Sequence, residues 1–168
     1  MSKTLLTLLY LALSLCLNLS NIYDSIGQVE LLDTISQRDV CVSGVLIGSK
    51  KNELLNNFGN PDSVISHTDE FEGTAFQEYI YLKSSFYIVS NNFTSFDMRD
   101  NAFQFDYGKI KVGDQIEVIE KIFHKSYSKR EVGKFETTIR VKIGKSDSYV
   151  LFICCNQIIT RIMSWDDL

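Results

Sequence analysis

Val45-Leu46-Ile47-Gly48-Ser49 is matched sixty-five positions later by Ile110-Lys111-Val112-Gly113-Asp114. A short amphipathic stretch follows each run and ends in an aromatic, Phe58 in the first copy and Phe123 in the second. A polar gap and strand-like segments then follow in both. The recurrence predicts an α+β fold of two tandem modules, each a helix plus an antiparallel sheet, with the helices packed on one face of the sheet. Residues 21–106 form the first expected module and residues 107–168 the second, within one compact domain.

In the first copy Ser49 stands where a helix N-cap belongs, after a glycine able to take a tight turn. Leu54, Leu55 and Phe58 fall on one side of the helix, and Gly59 and Pro61 end it. In the second copy Asp114 is the expected cap, with Glu117 three residues later as in a capping box. Ile116, Ile119, Ile122 and Phe123 supply its apolar stripe. Strands are expected at Glu78 to Leu82, Phe86 to Val89 and Phe93 to Met98, with a turn at Ser84-Ser85. The second copy adds Thr137 to Ile143, Tyr149 to Cys155 and Ile158 to Met163, with Asn156-Gln157 as a turn. Short strands joined by turns imply antiparallel pairing.

Period-two alternation then assigns faces. With Ile80, Leu82, Ile139, Val141 and Ile143 turned inward, the other face carries Tyr79, Tyr81, Tyr87, Thr138, Arg140, Lys142 and Arg161. Tyrosine and arginine bury large area while keeping a polar handle, so this set is the expected partner-binding surface.

Residues 1–20 read as a signal peptide: Lys3 precedes an apolar run from Leu5 to Leu17, broken only by Thr7 and Ser14. That run has the length of an export signal and is short for a membrane span. Cys16 raises a lipoprotein reading, although Leu15 stands where a small residue is wanted. The 17 basic and 21 acidic residues set a formal charge of −4. That balance lacks the footprint of a nucleic-acid binder. Cys41, Cys154 and Cys155 follow the signal, and Cys41 is the expected disulfide partner of one of the other two. Buried free thiols are the competing reading.

No motif in the chain carries catalysis. There is no GxSxG, HExxH, Walker loop or GxGxxG. His67 and His124 are expected on the surface near helix ends or loops. The acidic stretch Asp69, Glu70 and Glu72 lacks calcium-loop spacing. Asp97, Arg99 and Asp100 are expected to make a local ion pair. No cofactor and no metal site is expected.

The run hydrophobic-x-hydrophobic-Gly-[Ser/Asp], a short helix, then Phe58-Gly59-Asn60-Pro61-Asp62 and strands resembles the β-lactamase inhibitor protein-like fold. It is similar as well to the SmpA/OmlA family of small envelope lipoproteins. The likeness rests on Gly48 to Asp62, echoed by Gly113 to Phe123, and departs at His124-Lys125, which replace Gly59-Asn60. It implies a sheet with one face free to bind protein. The expectation is therefore an exported, non-enzymatic protein-binding module with a partner in the envelope or the medium. The alternative is a structural envelope protein held by an uncleaved signal or a lipid on Cys16. Mass spectrometry of the mature N-terminus separates them. The expected result is a free terminus beyond Cys16, and a mass that retains Lys3 or carries a lipid supports anchoring.

Overall fold

The computed structural model describes residues 32–68 and 73–166. The expected signal, with Cys16, and the acidic stretch 69–72 lie outside the described residues. In chain order the elements are β1 (Thr34–Ile35), β2 (Cys41–Val42), β3 (Val45–Leu46), α1 (Lys51–Phe58), β4 (Ser63–Thr68), β5 (Ala75–Tyr81), β6 (Ser84–Val89) and β7 (Asn92–Met98). Then come β8 (Gln104–Phe105), β9 (Ile110–Lys111), α2 (Glu117–Ile122), α3 (His124–Ser128), β10 (Glu131–Val132), β11 (Thr137–Ile143), β12 (Ser148–Cys155) and β13 (Ile158–Asp166).

Two modules of helix on sheet are not what forms. The described chain is mostly β, and the strands of both halves join one large mixed sheet in the order β1-β11-β12-β13-β7-β6-β5-β4. β10 also pairs with β11, and β1 runs parallel to β11. A second sheet of four short strands has the order β3-β2-β8-β9. The helices hold 8, 6 and 5 residues, only one or two turns each. Helices that short gain little on their own, so strand pairing and aromatic packing dominate the architecture.

One interior serves both halves. Phe105 of the small sheet contacts Phe96 of β7 at 6.3 Å and Phe152 of β12 at 5.8 Å between ring centroids. Phe58 of α1 packs on Tyr81, Phe86 and Phe103. Leu54, Ile116, Ile119 and Phe123 are buried as their spacing predicts, with Leu55, Phe58 and Ile122 packed against them. The caps differ from expectation. Lys50 occupies the N-cap of α1 without a side-chain bond. The Asp114 carboxylate accepts from the Lys111 amide at 2.7 Å, closing the turn before α2. Gly59 does end α1, with φ at 79°.

The polar run after Pro61, expected as a gap, is strand β4. It pairs regularly with β5 from Ser63 opposite Ile80 to Thr68 opposite Ala75. His67 therefore lies on a strand, not a loop. The turn between β5 and β6 is Leu82-Lys83, not Ser84-Ser85. Leu82 sits there at φ 55°, a conformation usually left to glycine. Two carboxylates hold this turn: Asp62 accepts from the Leu82 amide at 2.7 Å and Asp100 from the Lys83 amide at 3.2 Å. Ser84 is buried instead, donating to Asp100 at 2.6 Å.

That hairpin inverts the expected faces of β5. Its register puts Tyr79 opposite Phe86, and paired residues share a face. Tyr79 and Tyr81 are each 6% exposed, whereas Leu82 is 65% exposed. The phenol of Tyr81 donates to the Gly59 carbonyl at 2.9 Å, and burial pushes its pKa up to about 12. Neither tyrosine is available to a partner. Removing the hydroxyl in Tyr81→Phe should cost about 1 kcal/mol, and Tyr81→Ala about 3–5 kcal/mol, measured by urea denaturation. A loss within experimental error for Tyr81→Ala would place that side chain on the surface.

Candidate functional site

The large sheet has one face turned to the interior and one left open. In the first half the open face carries Phe76, Glu78 and Ile80 of β5, Ser85, Tyr87 and Val89 of β6, and Asp97 of β7. The second half supplies Arg161 and Met163 of β13, Tyr149, Leu151 and Ile153 of β12, and Thr138, Arg140 and Lys142 of β11. One row crosses the sheet in register: Ile80 opposite Ser85, Ser85 opposite Asp97, Asp97 opposite Met163, Met163 opposite Leu151, and Leu151 opposite Arg140. Most of these side chains are half-buried, packed against one another sideways.

Asp97 is the centre of this face and is 6% exposed. Its carboxylate accepts from Arg161 Nε at 2.7 Å and Arg161 Nη2 at 2.8 Å. Arg99 Nε donates to the same carboxylate at 2.9 Å and its Nη2 lies 2.8 Å away. Burial alone would raise the Asp97 pKa, but the hydrogen bonds from Arg161 and Arg99 outweigh it and hold the group below its ordinary value. The expected local pair is thus a three-residue network joining the two halves. Asp100 is not in it; its carboxylate caps the β5–β6 turn and the Ala102 amide.

A second network lies beside the first. Glu78 accepts from Ser85 Oγ at 2.6 Å and pairs with His67 Nε2 at 2.9 Å. The imidazole stacks on Phe76 at 4.8 Å between centroids. Serine, glutamate and histidine together invite comparison with a hydrolase triad. The order differs, because the carboxylate stands between the hydroxyl and the ring, so the imidazole does not reach Ser85 as it would in such a triad. Tyr87 lies across from Glu78, and burial followed by the nearby Glu78 and Asp97 charges raises its pKa. Glu78, Ser85, Tyr87, Asp97 and Arg99 line a shallow, open depression of about 350 Å³.

The proposed contact residues therefore divide. Tyr87, Arg140, Lys142 and Arg161 share the open face; Tyr79 and Tyr81 do not. Arg140 forms an ion pair with Glu131, and Lys142 lies 4.0 Å from Asp147. Periodicity missed Tyr149, Leu151, Ile153 and Met163, because their strands are apolar on both faces and alternation has nothing to mark. Two further exposed apolar side chains, Val132 at 72% and Phe135 at 78%, sit at the β10 end of β11.

Among the described residues Cys41, Cys154 and Cys155 are free thiols in place of the expected disulfide. Cys41 belongs to the small sheet, where burial and neighbouring Asp106 raise its thiol to about 12. Cys154 faces the interior of the large sheet, raised by burial to about 11, and Cys155 faces the other way. β2 and β12 belong to different sheets and do not pair, so strand pairing does not bring these thiols together.

No family model and no curated protein matches the chain, so the SmpA/OmlA likeness receives no support. Among solved structures, a Streptococcus mutans chain described as a "putative beta-lactamase inhibitor protein" is similar. Identity is 14%, the match covers 71% of this chain and 83% of that one, and the TM-score is 0.32. A score that low does not establish a common fold.

The Asp97 network has a pH signature. Its folded pKa is depressed, so its stabilisation is complete above the unfolded value of about 3.9 and is lost as pH falls through the folded pKa. Asp97→Asn should cost about 2 kcal/mol at pH 7 and converge with the parent protein at the acid end. Denaturation between pH 7 and pH 2 checks this; a constant gap across that range contradicts it.

Proposed function

We propose that this chain is an exported, non-enzymatic protein-binding module that docks a partner on the open face of its large sheet. The observation that carries the reading is the half-buried belt of Tyr87, Met163, Leu151, Ile153 and Tyr149 around the Asp97–Arg161–Arg99 network. Aromatic and aliphatic side chains supply contact area, and the arginines are held in place before a partner arrives, which lowers the ordering cost of binding. Tyr87 on β6 and Arg140 on β11 lie four strand spacings apart, about 19 Å. A standard interface buries about 800 Å² on each partner, wide enough to cover both. Export is read from Lys3 and the Leu5 to Leu17 run.

The halves are further read as tandem copies of one ancestral unit. Gly48 and Gly113, at φ 94° and 98°, donate to the Phe93 and Ile159 carbonyls at 2.7 and 2.8 Å. Those residues return a bond to Ser49 and Asp114. Each glycine turn thus docks in the same way on a hairpin whose two turn residues have positive φ, Ser90-Asn91 in one case and Asn156-Gln157 in the other.

The test is affinity capture from native envelope and culture medium with the parent protein and a Tyr87→Ala/Leu151→Asp/Met163→Asp variant. The variant's fold is checked by its thermal midpoint. A partner held by the parent and weakened at least about tenfold in the folded variant is the expected result. Equal recovery by both proteins overturns the open-face reading.

A further inference from the structure

The large sheet treats its two edges differently. At one edge β11 is covered by β10 over Thr137 and Thr138 and by β1 over Lys142 and Ile143. Arg140, between them, is tied to Glu131. Short covering strands and a charge on the exposed stretch are the usual ways of protecting an edge. The opposite edge has neither. β4 runs six residues without a bulge, and among the described residues its outer side pairs with nothing. Its sequence, Ser-Val-Ile-Ser-His-Thr, contains no lysine, arginine, carboxylate or proline. Val64 and Ile65 are 46% and 44% exposed on opposite faces.

An open row of backbone donors and acceptors is satisfied by another extended strand. We propose that the occupant is β4 of a second copy of this chain, paired antiparallel about a two-fold axis at Ile65. Electrostatics favour the self-pair, since no side chain on β4 opposes a like charge when the strand meets its own copy. Closure favours it too. Among the described residues each large sheet has one open edge and one protected edge, so pairing the open edges leaves neither copy's β4 free and gives a closed dimer, not a fibre.

Symmetry then sets the register. An axis perpendicular to the sheet keeps both open faces on the same side, so paired residues must share a face. Centring on Ile65 satisfies this, with Ile65 opposite Ile65, Val64 opposite Ser66 and Ser63 opposite His67. The two aliphatic side chains then cover each other. Both open faces become one surface, a consequence independent of what binds there.

Sedimentation equilibrium of the purified protein tests the dimer, and cysteine substitution tests the register. The expected result is a dimer whose dissociation constant rises at least about tenfold in Ile65→Lys, where two ammonium groups would meet. Opposed Cα atoms in an antiparallel pair lie about 4.5–5.5 Å apart, within disulfide reach. Ile65→Cys should therefore cross-link between copies on mild oxidation, and Val64→Cys should not. The parent protein, oxidised alongside, accounts for its own three described thiols. A thermal midpoint near that of the parent certifies the fold of each variant. A monomer at every concentration, or equal cross-linking at positions 64 and 65, overturns the proposal.

Discussion

Everything else in this molecule depends on the pairing of β7 with β13. Those strands come from opposite halves of the chain, and their contact is short: Met98 opposite Ile162 and Asp97 opposite Met163. Asp97 and Arg161 lock it from the open face, and the Phe96 amide donates to Ser164 Oγ at 3.0 Å along the same seam. Without this join the large sheet would be two smaller sheets, each with an extra bare edge. With it, seven of the strands form one surface wide enough to receive a protein. The network at the centre of that surface is thus a structural requirement first. Its arginines are preorganised because the seam needs them.

The interior echoes the seam. Phe105 of β8 stands opposite Ile110 of β9, so the small sheet is also joined by strands from opposite halves. Phe105 then reaches both Phe96 and Phe152. Two cross-half pairings sharing one aromatic core make the halves a single cooperative body, and neither half would retain a complete interior alone. The expected boundary between modules falls in the connection from β8 to β9, which the small sheet closes with Phe105 opposite Ile110.

A buried ion pair at a seam is a costly way to hold two strands, since both charges must leave water. Asp97 offsets that cost by accepting from two guanidinium groups, one of them well exposed. The charge is spread toward solvent instead of being sealed in. The proposed binding face and the stability of the seam draw on the same three residues, which is why changes at Asp97 would be poor probes of the proposed binding, and changes at Leu151 or Met163 good ones.

The chain's local chemistry was legible where one residue type had one physical use. Glycines at 48, 59 and 113 marked positive φ angles, Asn156-Gln157 marked a tight turn, and Ile139, Val141 and Ile143 announced their inward face against Arg140 and Lys142. It misled where two forces competed. Tyr79 and Tyr81 look like surface residues beside Ile80 and Leu82, yet Tyr79 stands opposite buried Phe86, while Phe58, Phe86 and Phe103 offer Tyr81 an aromatic pocket and Gly59 a hydrogen-bond acceptor. The Leu82-Lys83 turn carries no local signal because distant Asp62 and Asp100 supply its bonds. β4 was silent because a polar edge strand has no core to report. Local residue chemistry was enough for the glycine turns at 48 and 113, the antiparallel strands of the second half and the apolar supply for a core. That helices are minor, that both halves share one sheet, and which face each β5 side chain takes were settled by contacts between distant segments. Those outcomes rest on register and long-range pairing, which belong to no single stretch of chain.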